Sequence, residues 1–418
     1  MRIHLLALFI LVFSFSTPEK ETAVAQSSPH TVQPGDTWTA LALRYGVTRG
    51  ELQSLNPHFN TTRQPTIGRQ INIPQGAVEQ TGTLARYDGA GVLQAAARHG
   101  YSIWDIARLN GMDSPYQPTF YRPIIIPSQE IIRDFPPGMT SLELSSLMAR
   151  PGRALGFRGI TTEDGAPISA GLDGLSVSII SDAHQFAGVV GTGAFYSGGE
   201  PELTIKVGEH PLWVQPWAFE EQEWEYQELT LTGQAAEIDQ KARDEERARL
   251  RELWTIVTPV PLWKSPFITP VENYLSVTAN YGARRSYNGG PYLSYHEGVD
   301  YSAYGGTPVI APAAGHVVLA EPLYVRGGAV IIDHGLGLYS GYYHLSAVHA
   351  SAGQTVQPGD ILGEVGTTGL STGNHLHWDL LVNGIWVDAA AWQDDGLACW
   401  LLEGVGRPCS PPTLPNNK

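Results

Sequence analysis

The sequence predicts a multidomain protein with small α/β modules, a β-sandwich-like middle domain and a mainly antiparallel β domain that contains a groove. Its 418 residues suffice for two to four domains with separate cores. A motif pattern near the N-terminus recurs after 53 or 54 residues, which indicates tandem modules. After residue 270 the chain becomes glycine-rich, with short apolar runs bounded by turns, as in antiparallel sheets.

The composition is that of a folded protein, with 42% hydrophobic and 16% charged residues. The formal net charge of −15 argues against nucleic acid as a partner, because phosphate binding requires a basic surface. The same charge gives no electrostatic attraction to an anionic cell surface. Affinity for such a surface must therefore come from shaped binding sites.

Residues 1–25 are predicted to be a secretory signal peptide. Arg2 supplies the positive charge, residues 5–13 form a short apolar core, and AVA at 23–25 fits a cleavage site, with SFS at 14–16 as the alternative. The apolar run is too short to cross a bilayer, although an uncleaved membrane-surface anchor is another interpretation. No later run reaches about 18 apolar residues, so we expect a soluble, exported protein.

The first module is predicted over residues 30–75. Its elements are a strand at 31–32, a turn at 34–37, helices at 38–45 and 48–55, and a closing strand at 71–74. The order of these elements, with the motifs VQPGDTW, LN and INIP, resembles a LysM module. The resemblance implies binding of glycans that contain N-acetylglucosamine. The alternative is a small structural domain without a ligand.

A second LysM-like module is predicted over residues 83–128. Gly46 recurs as Gly100 and Asn56 as Asn110, both at a shift of 54. Residues 87–91 replace the PGDT turn of the first module. We therefore expect the fold to be retained, while sugar binding by this module stays open.

The middle of the chain, residues 138–232, is predicted to be β-sandwich-like. Alternating runs at 175–180, 202–207 and 225–231 have strand periodicity and are separated by Gly, Pro and Ser clusters. The acidic run at 220–228 is interpreted as a solvated edge rather than as a binding patch.

Residues 234–256 are predicted to form a helical spacer, since neither glycine nor proline interrupts 234–254. Glu246, Arg249 and Glu252 are spaced for i,i+3 pairs on an exposed face. Apolar residues are too sparse for a coiled coil, which needs sustained heptads.

Residues 296–377 carry the strongest chemical signal. They contain HEGVD at 296–300, YYHL at 342–345 and HLH at 375–377. Zinc binds neutral imidazole and carboxylate readily, and a catalytic zinc usually has three protein ligands and an open position. On a strand, His375 and His377 point to the same face. Seven of the thirteen histidines lie in this segment, which makes chance clustering a poor explanation.

These motifs, together with NYGARR at 280–285 and IDHG at 332–335, resemble the lysostaphin-type (M23) zinc peptidases that cut bacterial peptidoglycan peptides. The resemblance covers about residues 270–395. It implies an antiparallel β catalytic domain with a groove. It also implies one Zn²⁺ ion, bound by His296, Asp300 and His377.

The resemblance further implies catalytic roles for His344 and His375, beside the zinc-activated water. A neutral imidazole there can act as general base, and its charged form can stabilise the oxyanion. Which of the two takes the proton stays open. Tyr342 and Arg284 are candidates for substrate contact.

Cys399 and Cys409 are the only cysteines and lie in the predicted C-terminal tail, residues 396–418. In an exported chain a local disulfide is plausible. Thiolate metal binding is a poor alternative because no histidine lies nearby to complete a site.

Taken together, these features predict a secreted, cell-wall-associated zinc endopeptidase that hydrolyses peptide cross-links of peptidoglycan. LysM-like modules would anchor it to the glycan. One alternative is a non-catalytic wall-binding regulator of another hydrolase. Another is a zinc peptidase that acts on proteins.

Overall fold

The structure is a computed structural model that describes residues 28–86, 91–119, 122–256, 258–394 and 396–412. The predicted signal peptide, residues 1–25, lies outside the described residues. So do residues 87–90, where the second module departs from the PGDT turn. Among the described helices, none has the length and apolar character needed to cross a bilayer.

The described residues form seven α-helices and 26 strands. The helices are α1 Trp38–Arg44, α2 Arg49–Leu55, α3 Gly91–His99, α4 Ile103–Leu109, α5 Gln240–Leu253, α6 Ala391–Asp394 and α7 Leu397–Glu403, with a 3-10 helix at Gly233–Glu237. The strands of the N-terminal half are β1 Ser28–Thr31, β2 Gln70–Ile73, β3 Thr81–Ala85, β4 Ile124–Ile131, β5 Met139–Leu144, β6 Ala154–Thr161, β7 Ile168–Leu172, β8 Leu175–Ser176, β9 Ser178–Asp182, β10 Gln185–Gly191, β11 Glu202–Val207 and β12 Trp213–Pro216. Those of the C-terminal half are β13 Tyr226–Leu229, β14 Ser276–Ala279, β15 Arg284–Tyr287, β16 Ser294–Tyr295, β17 Gly298–Ser302, β18 Pro308–Ile310, β19 Gly315–Leu323, β20 Gly327–Gly335, β21 Leu338–Leu345, β22 Ala347–Val348, β23 Thr355–Val356, β24 Ile361–Glu364, β25 His375–Val382 and β26 Ile385–Val387.

The first module pairs β1 with β2 in antiparallel register and packs α1 and α2 beside them. The hydroxyl of Thr37 caps α1, and Thr48 and Glu51 form a capping box at the start of α2. The side chain of Asn56 donates to the carbonyls of Leu52 and Asn72 and accepts from the amide of Asn72. This asparagine therefore ties the end of α2 to the closing strand.

The second module repeats that arrangement with β3, α3, α4 and β4. The side chain of Asn110 donates to the carbonyls of Ile106 and Ile125 and accepts from the amide of Ile125. Asn56 and Asn110 thus have the same structural role, which explains why the LN motif recurs in the sequence.

The middle domain contains two four-stranded sheets, in the orders β5-β6-β10-β9 and β12-β11-β7-β8. Residues of both sheets, such as Phe157 and Ile205, share one core with Trp38 of the first module. The first module is joined directly to this domain, because Ile67 exchanges backbone hydrogen bonds of 2.8 Å with Pro216 and Ala218.

Strand β13 does not belong to these sheets, although its alternation in the sequence groups it with the middle domain. It pairs in parallel with β15, and β15 pairs with β16, which makes β13 an edge strand beside the C-terminal domain. The period-2 pattern identified a strand, but partner choice depends on tertiary contacts.

The C-terminal domain is built on a mainly antiparallel sheet in the order β14-β17-β25-β21-β20-β19-β23, with β26 against β25. A smaller sheet, β18-β24-β22, lies beside it. Strands β20 and β21 are buried along their whole length. The mainly antiparallel β character predicted for this domain is confirmed.

Two segments that were predicted to lie at the periphery are packed against folded domains instead. Leu250 of α5 is fully buried, so this helix is docked on the C-terminal domain rather than being an exposed spacer. In the predicted tail, α7 buries Leu401 and Leu402 and contacts β6 and β10 of the middle domain. Cys399 of α7 forms the disulfide with Cys409. A helix that buries only a narrow stripe of its surface needs few apolar residues per turn, so the sparse apolar residues of α5 are enough to dock it.

Candidate metal centre and groove

Paired strands bring together the three predicted metal ligands. Asp300 of β17 lies directly opposite His377 of β25 in the antiparallel ladder. His296 lies two residues before β17 begins. Facing residues in such a ladder have neighbouring side chains, so register alone places Asp300 beside His377.

The donor atoms of these residues converge on one point. The Oδ1 atom of Asp300 lies 2.9 Å from His296 Nε2 and 2.8 Å from His377 Nδ1. The two imidazole nitrogens are themselves 2.9 Å apart. Two nitrogens and one carboxylate oxygen are the donor set of a divalent metal site with an open position. Among the described residues, these three form a cluster able to hold a metal ion.

Neighbouring groups orient the three donors. His296 donates from Nδ1 to the carbonyl of Asn280 at 3.0 Å, which leaves its Nε2 without a proton and facing the cluster. Arg285 donates to Oδ2 of Asp300 at 3.2 Å and to the side chain of Gln227 at 3.3 Å. The second carboxylate oxygen is therefore occupied, and Oδ1 stays available to a metal.

The electrostatics favour the ligand forms of these side chains. Burial lowers the pKa of His296, and it lowers the pKa of His377 to about 3. Burial alone would raise the pKa of Asp300, but its electrostatic interactions with His296 and His377 outweigh burial and hold that pKa well below its usual value. Neutral imidazoles and an ionised carboxylate are the forms that bind metal.

His344 and His375 lie beside this cluster. Their ring centroids are 4.8 Å apart, and His375 Nε2 is 3.8 Å from Asp300 Oδ1. His344 donates from Nδ1 to the carbonyl of Thr368, and His375 donates from Nδ1 to the carbonyl of Gly373, both at 2.8 Å. A carbonyl only accepts, so in both rings Nε2 is the nitrogen without a proton. Burial also holds the pKa of His344 well below its usual value.

A groove of about 580 Å³ runs past the cluster. It is lined by Asp300, His344, His375 and His377 and by the loop at 370–374. A second part of its wall comes from a different part of the chain. It consists of Gln227, Glu228, Leu229 and Leu231 from β13 and the residues after it, with Arg285 and Tyr287 of β15.

The acidic run at 220–228, interpreted as a solvated edge, is exposed along most of its length, and its C-terminal end also lines the groove. Gln227 and Leu229 face Arg285 and Tyr287 across the β13–β15 pair, and all four line the groove. The alternation of residues 225–231 predicted a strand, but no local feature of the sequence indicated that β15 would be its partner.

Tyr342 and Arg284, the predicted substrate contacts, are not among the groove-lining residues. Tyr342 is fully buried, and its hydroxyl is 2.7 Å from that of Ser340. Arg284 donates to the carbonyl of Ala194 at 2.7 Å and lies over the ring of Phe195 at 4.4 Å. The structure thus corrects this prediction: Tyr342 is a core residue, and Arg284 joins the C-terminal domain to the middle domain.

The remaining histidines of the segment lie away from the cluster. His334 is fully buried, donates from Nδ1 to the carbonyl of Ala314 at 2.8 Å and pairs with Ser340 at 2.7 Å. His316 and His349 make exposed contacts with Thr355 and Glu364. His334 is therefore part of the core.

Comparisons with known proteins agree with this geometry. The model of peptidase family M23 matches residues 294–389, and the LysM domain model matches residues 30–74 and 96–127. The chain therefore carries an M23 peptidase domain behind N-terminal LysM domains.

Several curated relatives have names that describe an activity, among them Mpg and ShyA. The DD-carboxypeptidase/endopeptidase Mpg of Neisseria meningitidis serogroup B is 44% identical over 89 residues, which are 21% of this chain and 20% of that protein. The peptidoglycan DD-endopeptidase ShyA of Vibrio cholerae serotype O1 is 35% identical over 120 residues, 29% of this chain and 28% of that protein. The matched stretch is thus less than a third of either relative.

A solved structure of a putative peptidase M23 from Pseudomonas aeruginosa is 26% identical. The match covers 58% of this chain and 93% of that one, with a TM-score of 0.44.

Proposed function

We propose that this chain is a zinc-dependent endopeptidase that hydrolyses the peptide cross-links of bacterial peptidoglycan. The observation that carries the proposal is the convergence of His296, Asp300 and His377 at a groove, which Asp300, His377, His344 and His375 line. The names of the relatives ShyA and Mpg support the choice of substrate.

The donor set fits zinc. The two nitrogens, His296 Nε2 and His377 Nδ1, and Asp300 Oδ1 are separated by 2.8–2.9 Å, and zinc bonds of about 2.0–2.2 Å allow all three to reach one ion. When bound, zinc supplies Lewis-acid polarisation of the scissile carbonyl and acidifies water. Arg285 and the carbonyl of Asn280 keep the donors in their binding orientation.

His344 and His375 supply the proton chemistry. Each presents an unprotonated Nε2, because its Nδ1 donates to a backbone carbonyl. One imidazole takes the proton of the attacking water, and an imidazolium can then stabilise the oxyanion or protonate the leaving amine. The backbone carbonyls of Thr368 and Gly373 hold both rings in the required tautomer.

The LysM domains would retain the enzyme on N-acetylglucosamine-containing glycan. The second domain exposes three aromatic side chains, Tyr101, Trp104 and Tyr116, which are 42%, 59% and 66% exposed. Aromatic faces pack against sugar rings, so this domain offers a surface for glycan despite its departure from the PGDT turn. Two sites on one chain would prolong residence on the polymer. The Cys399–Cys409 disulfide supports an extracytoplasmic location.

Purified full-length protein incubated with sacculi tests the proposal. We expect new amino termini to appear with zinc and to disappear with a chelator. A non-catalytic regulator would release none under either condition. A peptidase directed at proteins would cleave casein and leave sacculi intact.

Binding is tested separately by a sacculus pull-down with Trp104→Ala and with Val78→Ala, a control at an exposed residue between the modules. We expect weaker binding only for Trp104→Ala. Equal retention of both variants would contradict anchoring by the second domain.

A further inference from the structure

Helix α5 precedes the M23-matched residues and is docked on them. Leu250 is fully buried in the C-terminal core, and Arg247 lies over the ring of Trp386 at 5.3 Å. Arg247 also pairs with Glu297, the neighbour of His296. These contacts fix α5 on the C-terminal domain and link it to the residue that follows His296.

The carboxylate of Glu246 on α5 is buried and fully engaged. It accepts hydrogen bonds from the amide of Val325 at 2.7 Å, the amide of Arg326 at 3.2 Å and the guanidinium of Arg326 at 3.1 Å. A buried carboxylate needs such partners, because its desolvation is costly. Glu246 therefore fixes both the backbone and the side chain at Val325 and Arg326.

Arg326 connects Glu246 to the strand that carries His344. Its guanidinium also contacts Glu297 at 3.4 Å and lies over the ring of Tyr343 at 5.2 Å. Its carbonyl accepts the backbone amide of His344 at 2.9 Å. One residue thus connects α5 to the backbone that carries the His344 imidazole.

His344 needs such a restraint. Its φ of +64° lies in the left-handed region, which is uncommon for residues with a Cβ atom. Such conformations persist only where the surroundings impose them, and they cluster at functional sites. A return of His344 to ordinary strand geometry would turn its ring away from Asp300 and His377.

We propose that Glu246 is a positioning residue that holds His344 in its left-handed conformation through Arg326. The effect on turnover rests on the proposed function, in which His344 handles a proton. The effect on the conformation of His344 does not. The peptidase domain then includes α5, although the M23 match begins at residue 294.

The test uses the full-length, zinc-loaded protein with Glu246→Ala. The matched control is Glu245→Ala, an exposed neighbour that pairs with Lys241 on the same helix. We expect kcat on sacculus-derived muropeptides to fall about tenfold to a hundredfold, because an ångström of misplacement has that effect. KM and zinc content should stay at their wild-type values, and Glu245→Ala should match wild type throughout.

A second readout is independent of catalysis. Hydrogen exchange of the His344 amide should become about tenfold faster in Glu246→Ala and stay unchanged in Glu245→Ala. Glu246→Gln keeps one of the two accepting oxygens and replaces the other with an NH2 group, which cannot accept from a backbone amide, so it should recover part of both losses. If Glu246→Ala does not fold, Glu246→Gln should still show smaller changes in the same direction.

The outcomes separate the two proposals. Wild-type protein that does not cleave sacculi overturns the proposed function, and the exchange rates then decide the role of Glu246. Cleavage by wild type, with unchanged kcat and unchanged His344 exchange in the Glu246 variants, overturns the positioning role. Loss of zinc in parallel with activity also overturns it, because His344 is not one of the three metal donors.

Discussion

Asp300 and His377 are placed by strand pairing, whereas His344 is placed by contacts from outside its own strand. The first two face each other in the β17–β25 ladder. His344 has a left-handed backbone, and its amide bonds to the carbonyl of Arg326 on a neighbouring turn. The metal side of the groove therefore depends on register, and the His344 side depends on tertiary packing. A sheet can keep its register while a strained residue relaxes. A substitution can therefore disrupt one side of the groove and leave the other side intact.

The largest effect is expected from His377→Ala, which removes a donor from the metal side. Loss of one of three ligands should abolish zinc retention, and activity should fall by about a thousandfold or more, because zinc contributes several kcal/mol. Zinc analysis after gel filtration and muropeptide cleavage measure the two effects. Retained zinc with wild-type turnover would refute the ligand assignment.

His344→Ala and His375→Ala should separate the two sides. Both should retain zinc and lower kcat by about a hundredfold to ten-thousandfold, as for removal of a general acid–base group. The larger loss identifies the histidine that takes the proton from water. Loss of zinc in His375→Ala would instead move that residue to the metal side.

Arg285→Ala should weaken the metal side without removing a donor. Removing a group that orients a ligand lowers metal affinity about tenfold to a hundredfold. Competition with a chromophoric chelator measures this affinity. Gln227→Ala, which removes only the partner of Arg285 Nε, is expected to have a smaller effect. An equal loss in both variants would mean that the orientation of Arg285 matters as much as its charge.

A smaller effect is expected at the wall formed by β13. Leu229→Asp places a carboxylate in the groove and should raise KM by about tenfold, which corresponds to about 1.4 kcal/mol. Thr230→Asp adds the same charge on the next residue, which does not line the groove, and serves as the control. Identical KM values for the two variants would exclude β13 from substrate contact.

His334 tests a histidine that serves the fold alone. Burial lowers its pKa from 6.5 to about 4, so the unfolded chain takes up its proton first as the pH falls. The contribution of His334 to stability is therefore complete above pH 6.5 and is lost progressively toward pH 4, by about 3 kcal/mol. Urea midpoints across this range should fall less in His334→Gln. If the urea midpoint fell equally with pH in wild type and in His334→Gln, the result would contradict a lowering of the His334 pKa by burial.

Much of the site was predictable because its chemistry is local in sequence. The HLH motif on a strand directs His375 and His377 to one face, and both line the groove of the structure. The histidine and aspartate of HEGVD are four residues apart, and the β17–β25 register places the aspartate opposite His377. The repeat of Leu-Asn likewise corresponds to the same hydrogen bonds at Asn56 and Asn110.

Other features were not predictable from local patterns. Tyr342 follows the family motif but points into the core, because facing strands rather than motif membership decide burial. Alternation at 225–231 indicated a strand without indicating its partner β15. A helix with few apolar residues was interpreted as a spacer, yet its buried Glu246 has partners 79 and 80 residues away.

The sequence by itself determined the donor types, the strand periodicity that pairs them on one face, and the modular order of the chain. These properties follow from side-chain chemistry and from the two-residue repeat of a strand. Only the tertiary structure decided that β13 forms a wall of the groove and that α5 supports the turn beside His344. Both depend on contacts between residues distant in the chain, and hydrophobicity and spacing do not encode which distant surfaces will meet.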